Sequence, residues 1–339
     1  MSNAPIKMSN DDVRLLQTAA EGYTKLEQNI STVVIGQRKI VRALLASIFA
    51  EGHVLLVGVP GLAKTLLVKT LAEVLGWDFH RIQFTPDMMP ADITGMELLQ
   101  EDDHGHRNMK FIPGPIFANI ILADEINRTP PKTQAALLEA MQERQVTSMG
   151  KRYKLDNPFI VVATQNPIEQ EGTYPLPEAQ LDRFMFSLWM DYPSVEDEEA
   201  IVHATTTTLT HNLQPIFTKE QLIQFHQLVR RIPVSNHIVS YAVAIARATR
   251  PNSPVASDYI RQYVEWGAGT RAAQYMVLAG KALAVLDGQP TVSAGHIKQA
   301  AEYVLRHRVL PNYQAAGEGI SATDIIKHAL EDVSQPQYA

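Results

Sequence analysis

The 339-residue chain contains no cysteine. Disulfides, thiolate zinc sites and cysteine nucleophiles are therefore excluded. No run of residues has the apolar length of a membrane helix. Met1 to Asn10 lacks the apolar stretch of a secretion signal, so the cytoplasm is the expected compartment. An excess of positive charge is missing too. Thirty Lys+Arg against 36 Asp+Glu leave a net charge of −6, which argues against non-specific nucleic-acid binding as the main task. Internal repeats and low-complexity tracts are absent, so a solenoid is not expected. At 45% hydrophobic and 19% charged, the composition is that of a globular protein with one large domain or two ordinary ones.

What the chain does contain is a glycine-bent loop between a strand and a helix. Gly58-Val59-Pro60-Gly61-Leu62-Ala63-Lys64-Thr65 follows the apolar run His53–Val57 and opens the helical pattern Thr65–Leu75. A lysine and a hydroxyl at the end of such a loop suit a triphosphate with Mg²⁺. Ala63 stands where the G-x-x-x-x-G-K-[ST] pattern has its second glycine. A glycine/proline turn before an ordinary helix is the plainer alternative.

A second run, Asn119–Ala123, ends in Asp124-Glu125. Side chains alternate along a strand, so two adjacent acids point to different sides and serve different roles. Asp124 is expected to hold Mg²⁺, with Thr65 as the second ligand. Glu125 is expected to polarise the attacking water. Solvated acids at a strand end are the alternative.

Further strands are expected at Phe79–Phe84, Phe159–Thr164 and Phe184–Met190, with a helix at Pro130–Arg144 capped by Thr129. Apolar strands alternating with helices predict a parallel sheet covered on both faces, an α/β fold with ligands at the C-terminal strand edge. Earlier helices are expected from Ser9 to about Ile30 and from Gln37 to Ala50, after a leader, 1–8, with no expected structure. Two hairpins interrupt the scheme, at 95–113 and 145–157, the second turning at Met149-Gly150-Lys151. They read as decorative loops or as contact surfaces for a client or neighbouring subunit. The core is expected to span 9–192. From 193 to 339 only helical periodicity is evident: Val195–Ala204, Lys219–Arg231, Asn236–Arg250, Arg271–Asp287, Ala294–Arg308 and Ala322–Val333. Thr218, Ser235, Thr270, Ser293 and Ser321 stand as N-caps. That stretch is expected to be an all-α lid.

Other groups admit two readings each. Asn166, in Val161-Val162-Ala163-Thr164-Gln165-Asn166-Pro167, either positions the water or is a turn asparagine. Arg183 either neutralises γ-phosphate charge, often across a subunit boundary, or pairs with Asp182 at the surface. Arg271 starts a lid helix, where a cation is electrostatically disfavoured, and is expected to reach the phosphates when the lid closes. Arg128 is a candidate to face a neighbour. His104, His106 and the remaining histidines show no mutual metal-ligand spacing.

With these residues set out, the chain resembles the AAA+ ATPases, and among them the MoxR family, over about Val33 to His307. The strings that carry the resemblance are Val33-Val34-Ile35-Gly36-Gln37, the loop 58–65 with its alanine before Lys64, Ala123-Asp124-Glu125-Ile126-Asn127-Arg128, Ala163-Thr164-Gln165-Asn166-Pro167 and Leu181-Asp182-Arg183-Phe184. The resemblance implies a P-loop NTPase core of five parallel strands in the order 5-1-4-3-2, followed by the helical lid. It implies that hairpin 95–113 is the helix-2 insert and hairpin 145–157 the pre-sensor-1 insert. It assigns ATP and Mg²⁺ to the chain. Gly58, Val59, Pro60, Gly61, Leu62, Ala63, Lys64, Thr65 and Leu66 would bind phosphate and nucleotide, with Ile35 and Gly36 against the adenine. Asp124 and Glu125 would be the Walker B pair, Asn166 sensor 1, Arg183 the arginine finger and Arg271 sensor 2. Gly269-Thr270 departs from the serine-proline that the family usually has before that last arginine. A hexameric ring, protein clients and a von Willebrand factor A domain partner are implied as well. Two rival readings stand beside it. One is a DNA-directed motor, for which Lys151, Arg152 and Lys154 would be the basic track. The other is a nucleotide switch without hydrolysis, against which Glu125 and Arg183 argue.

Overall fold

A computed structural model describes residues 8–101, 107–169, 171–207 and 213–336. Helix α1 (Asn10–Ser31) begins at a reciprocal cap, in which Asp12 N donates to the Ser9 hydroxyl and Ser9 N to the Asp12 carboxylate. Of the leader expected over 1–8, only Met8 lies within the described residues, and it packs against the core. Helix α2 (Arg38–Phe49) leads to β1 (Val54–Val57), which is followed by α3 (Lys64–Leu75) and β2 (Phe79–Gln83). A short helix α4 (Pro90–Thr94), not evident from the sequence, supports the hairpin β3 (Gly95–Glu101) and β4 (Arg107–Pro113). Part of that hairpin's expected tip, with His104 and His106, lies outside the described residues, as does His211. Strand β5 (Ile120–Asp124) runs through a single 3₁₀ turn, Ile126–Arg128, to α5 (Pro131–Glu143).

Helix α5 starts one residue later than expected. Pro131 takes the first position and Pro130 the cap, while the buried Thr129 hydroxyl has no hydrogen-bond partner among the described residues. The second hairpin, β6 (Gln145–Ser148) and β7 (Lys151–Lys154), turns on Met149 (φ 44°) and Gly150 (φ 81°). Positive φ at both positions suits a tight two-residue hairpin turn. Strand β8 (Ile160–Gln165), helix α6 (Glu178–Leu181) and strand β9 (Phe186–Trp189) complete this half.

The sheet has the order β2-β5-β8-β1-β9, with every neighbouring pair parallel. Counted without the hairpins, that is 5-1-4-3-2 read from the β9 edge, the order that the resemblance implies. Alternation sends Leu56, Leu122, Val162 and Leu188 to one face, and Leu55, Ala123, Val161 and Ala163 to the other. The second face is covered by α5.

After β9 come α7 (Val195–Thr205), α8 (Lys219–Arg231), α9 (Asn236–Ala248), α10 (Asp258–Tyr263), β10 (Val264–Trp266), α11 (Thr270–Leu286), α12 (Ala294–Leu305), β11 (Leu310–Pro311), α13 (Tyr313–Glu318) and α14 (Ala322–Asp332). This part is not wholly helical, because β10 and β11 pair antiparallel. Strands of three and two residues are too short to show a period. Gly269, not Thr270, caps α11. The first face of the sheet and helices α8, α9, α11 and α12 share one continuous apolar interior, in which Phe49 stacks on Phe225 at 5.7 Å.

The hairpins touch each other. Phe111 stacks on Tyr153 with ring centroids 3.8 Å apart, and the Tyr153 hydroxyl donates to Glu97 at 3.1 Å. Lys151 lies 4.0 Å from the same carboxylate. Met96, Leu98, Leu99, Met109 and Met149 remain exposed on the pair.

Candidate nucleotide-hydrolysis site

The loop 58–65 leaves β1 at its C-terminal end and delivers Lys64 and Thr65 into the first turn of α3. Gly61 has φ +88°, and no atom of the described residues lies within 4 Å of the position a Cβ would take. Its conformation, rather than lack of space, calls for glycine. Ala63 also sits in the left-handed region, at φ 56° and ψ 27°. The Lys64 ammonium donates to the carbonyls of Gly58 and, at 2.9 Å, Val59. Burial pushes its pKa down, while the charges of Asp124, Glu125 and Glu169 push it back up. Lysine and acids thus lie within electrostatic reach of one another.

Asp124 and Glu125 emerge from the next-but-one strand. β8 lies between β1 and β5, and its Thr164 side chain holds the end of β5. The Thr164 hydroxyl donates to Asp124 Oδ1 at 2.6 Å and accepts from Glu125 N at 2.9 Å. Glu125 itself has φ 58° and ψ 48°, which costs a non-glycine residue on the order of 1–3 kcal/mol. From the other side, β2 pairs in a register that sets Gln83 opposite Asp124. Arg81 donates to Asp124 Oδ2 from Nε (3.0 Å) and Nη2 (2.7 Å), and Gln83 Nε2 donates to Glu125 Oε2 at 2.8 Å.

Asn166 is buried just past β8. Its Oδ1 accepts from Ile168 N at 3.2 Å, and its side chain also bonds Glu169. Arg128 is turned inward onto acids of its own chain: Nε lies 3.1 Å from Glu125 Oε2, and Nη2 donates to Glu169 at 2.5 Å. The Arg128 hydrogen bond holds the Glu169 carboxyl below the usual glutamate range.

Beside the loop lies an apolar cavity of about 570 Å³, with Ile35, Leu62, Leu66, Tyr192, Ile201 and Val202 among its walls. Gly36 (φ +79°) lets α7 approach, since a Cβ there would meet the Asp197 carboxylate at 2.9 Å. The donor set fits Mg·ATP. A lysine, free loop amides and an apolar slot suit the nucleotide, and one threonine hydroxyl with one carboxylate suits an ion that keeps water and phosphate ligands. No group of three or more acids and histidines among the described residues forms an all-protein metal cage.

Two predicted residues lie elsewhere. Arg183 precedes β9, whose start pairs with the start of β1: Val54 stands opposite Phe186, and Met185 N donates to His53 O. Arg183 is therefore at the N-terminal edge of the sheet, while Lys64 follows the C-terminal edge. A four-residue strand, about 13 Å, and the loop separate them. Arg183 faces Glu139, Gln142, Glu143 and Arg152 across a cavity beside α5 and the second hairpin. Arg271, expected to reach the phosphates on lid closure, does not face the loop 58–65 in this arrangement. Its Nη1 donates to Asp182 Oδ2 at 2.9 Å, next to Arg183. The orientation of the lid accounts for this: α11 enters the fold against the N-terminal strand edge, and α7 lines the cavity beside the loop.

Four neighbours of the acids were not anticipated: Arg81, Gln83, Thr164 and Glu169. Only Thr164 carries a signal in the sequence, as the polar end of an apolar strand.

Residues 53–186 match the family described as ATPase family associated with various cellular activities (AAA), and residues 257–329 match the AAA lid domain. The chain is 40% identical to Chaperone MoxR1 of Mycobacterium tuberculosis, over 94% of this chain and 84% of that one. It is 30% identical to Protein MoxR of Methylorubrum extorquens, over 93% and 96% respectively. The crystal structure of a protein of Cytophaga hutchinsonii, described as a candidate ATPase, superposes with a TM-score of 0.88 at 40% identity, covering 96% of this chain and 98% of that one.

Proposed function

The chain belongs to the MoxR family of AAA+ ATPases, and from that premise we propose that it hydrolyses ATP in a ring of like subunits and uses the cycle to remodel protein complexes, as a chaperone does. One observation carries the reading: Lys64 and the Asp124–Glu125 pair share one edge of the sheet, while Arg183 stands at the other with its guanidinium bonded to no described residue. Such a chain holds an acceptor site and a donor arginine that cannot meet within one subunit. A closed ring brings the two together.

In this reading Lys64 and the loop amides bind the β- and γ-phosphates. Ile35, Leu66 and Tyr192 enclose the base and sugar. Thr65 and Asp124 would hold Mg²⁺, which when bound neutralises charge on the phosphates. Glu125 takes the proton of the attacking water, and Asn166 orients that water. Arg183 of the neighbouring subunit stabilises the leaving charge, with Arg271 beside it. The stacked hairpins, with their exposed methionines and leucines, offer a compliant apolar surface for a protein client. A von Willebrand factor A domain protein is the proposed partner, on family resemblance. The pairing of Lys151 with Glu97 takes one of the three cations out of the basic track that a DNA motor needs.

The test mixes two inactive proteins. Glu125→Gln removes the base and keeps the donor arginine; Arg183→Ala does the reverse. Each alone should lose about 10²-fold or more in turnover. Mixed, they should regain activity, because some interfaces combine an intact acceptor with an intact donor. No regain at any ratio would remove the shared site.

A further inference from the structure

The backbone around Arg183 is gripped from the lid. Arg308, just past α12, has a side chain only 3% exposed. Its Nε donates to Asp182 Oδ1 at 2.6 Å. Nη2 donates to the carbonyls of Asp182 (2.8 Å) and Phe184 (2.7 Å), and Nη1 to those of Met185 (3.4 Å) and Val304 (2.5 Å). All five guanidinium N–H groups are thereby used. The Arg183 carbonyl accepts from the Tyr275 hydroxyl at 3.4 Å, and the Arg308 guanidinium lies 5.1 Å from that tyrosine's ring centroid. His307 Nε2 adds a second bond to Phe184 O at 3.1 Å. Four consecutive carbonyls, 182 to 185, are thus bonded from the lid, whereas the Arg183 guanidinium is bonded to no described residue. Asp182 joins the two systems, accepting from Arg308 on one oxygen and from Arg271 on the other.

We propose that Arg308 is a positioning residue for hydrolysis in the neighbouring subunit: it fixes the turn 182–185 to the lid, so that Arg183 and Arg271 are presented together at a set distance and angle. This rests on the shared-site reading above. A residue that merely filled space would not need four of its five donors satisfied by one turn. A fully bonded arginine instead makes the turn rigid and ties its place to that of α12. The physical reason is that misplacing a charge-stabilising group by about 1 Å costs on the order of 10²-fold in rate. Lysine keeps the charge of Arg308 but can offer only three donors and no planar fork.

The test assigns the defect to a side of the interface. Arg308→Lys is mixed with Glu125→Gln and, separately, with Arg183→Ala. A donor-side defect regains activity with Glu125→Gln, which supplies an intact donor, and not with Arg183→Ala. Alone, Arg308→Lys should lower kcat about tenfold or more and leave KM for ATP within about twofold, since its own nucleotide pocket is untouched. Asp182→Asn, a partly exposed and nearly isosteric change, should show the same pattern and decides the matter if Arg308→Lys does not fold. Regain with Arg183→Ala, regain with neither, or full activity alone would each overturn the proposal. If Glu125→Gln and Arg183→Ala fail to complement each other, the shared site itself falls, and this inference with it.

Discussion

Arg81 Nη2 lies 2.7 Å from Asp124 Oδ2, so the carboxylate assigned to Mg²⁺ is held by a guanidinium of its own sheet. Arg81 and a cation compete for the same oxygen. Charge-assisted hydrogen bonds of this kind contribute about 1.5–3 kcal/mol, and the half-exposed arginine belongs at the low end of that range. In Arg81→Met the Mg²⁺ concentration for half-maximal hydrolysis should fall roughly three- to tenfold, about 1 kcal/mol of released competition. Magnesium titration of turnover at saturating ATP measures it. An unchanged or higher requirement would show that Arg81 does not oppose the metal.

Ala63 lies in the left-handed region within the phosphate loop, where a Cβ costs about 1 kcal/mol. Ala63→Gly should therefore raise stability by up to about 1 kcal/mol, less what glycine adds to the entropy of the unfolded chain. KM for ATP should stay within about twofold. Ala63→Val should lower stability, because a β-branched side chain tolerates that conformation less. Urea midpoints of the three proteins give the order.

His53 fixes the direction of a pH effect. Val161 N donates to Nδ1 at 3.0 Å, so Nε2 carries the proton and donates to Met141 O at 3.2 Å. Burial lowers the pKa to about 4, with the charge of Arg144 acting the same way. The unfolded histidine, near 6.5, binds its proton first as pH falls. Stability is therefore complete above about pH 6.5 and declines toward pH 4, by on the order of 3 kcal/mol for this group. His53→Gln should be less stable at pH 7.5 yet lose less between pH 7 and pH 5. Unfolding free energies at three pH values compare the slopes; parallel slopes would assign the effect to other groups.

Several of these contacts were legible in the chain and several were not, and the physical reason differs in each case. Phosphate chemistry restricts residue types, so Lys64, Thr65, Asp124 and Glu125 announce themselves by kind and spacing. A parallel sheet follows from apolar strands alternating with helices, whereas its strand order is supplied by the family resemblance alone. Arg81 and Gln83 are different. Their importance comes from the register of β2 on β5, a long-range pairing that no local pattern encodes. Thr129 and Thr270 fit the cap preference, but the chain enters each helix one residue away from the expected point. Arg308 carries no local signal beyond its place at the end of an expected helix, and only the packing of α12 on β9 brings it the four acceptors of 182–185.

Arg271 supplies the sharpest contrast between reach in sequence and reach in space. Read as the first residue of a lid helix, it was expected to close on its own nucleotide. Its bond to Asp182 instead sets it beside Arg183, on the far edge of the sheet from Lys64. The Asp182 contact is half-exposed and so contributes modestly to stability, less than about 1 kcal/mol; Arg271→Ala should fold normally. Its turnover should fall, and the loss should belong to the donor side. Mixing with Glu125→Gln should restore activity, and mixing with Arg183→Ala should not, because both variants spoil the same face. A residue serving its own phosphates would give the same mixing result as Glu125→Gln does, with regain alongside Arg183→Ala. The two outcomes are mutually exclusive, so one experiment decides which subunit's ATP this arginine serves.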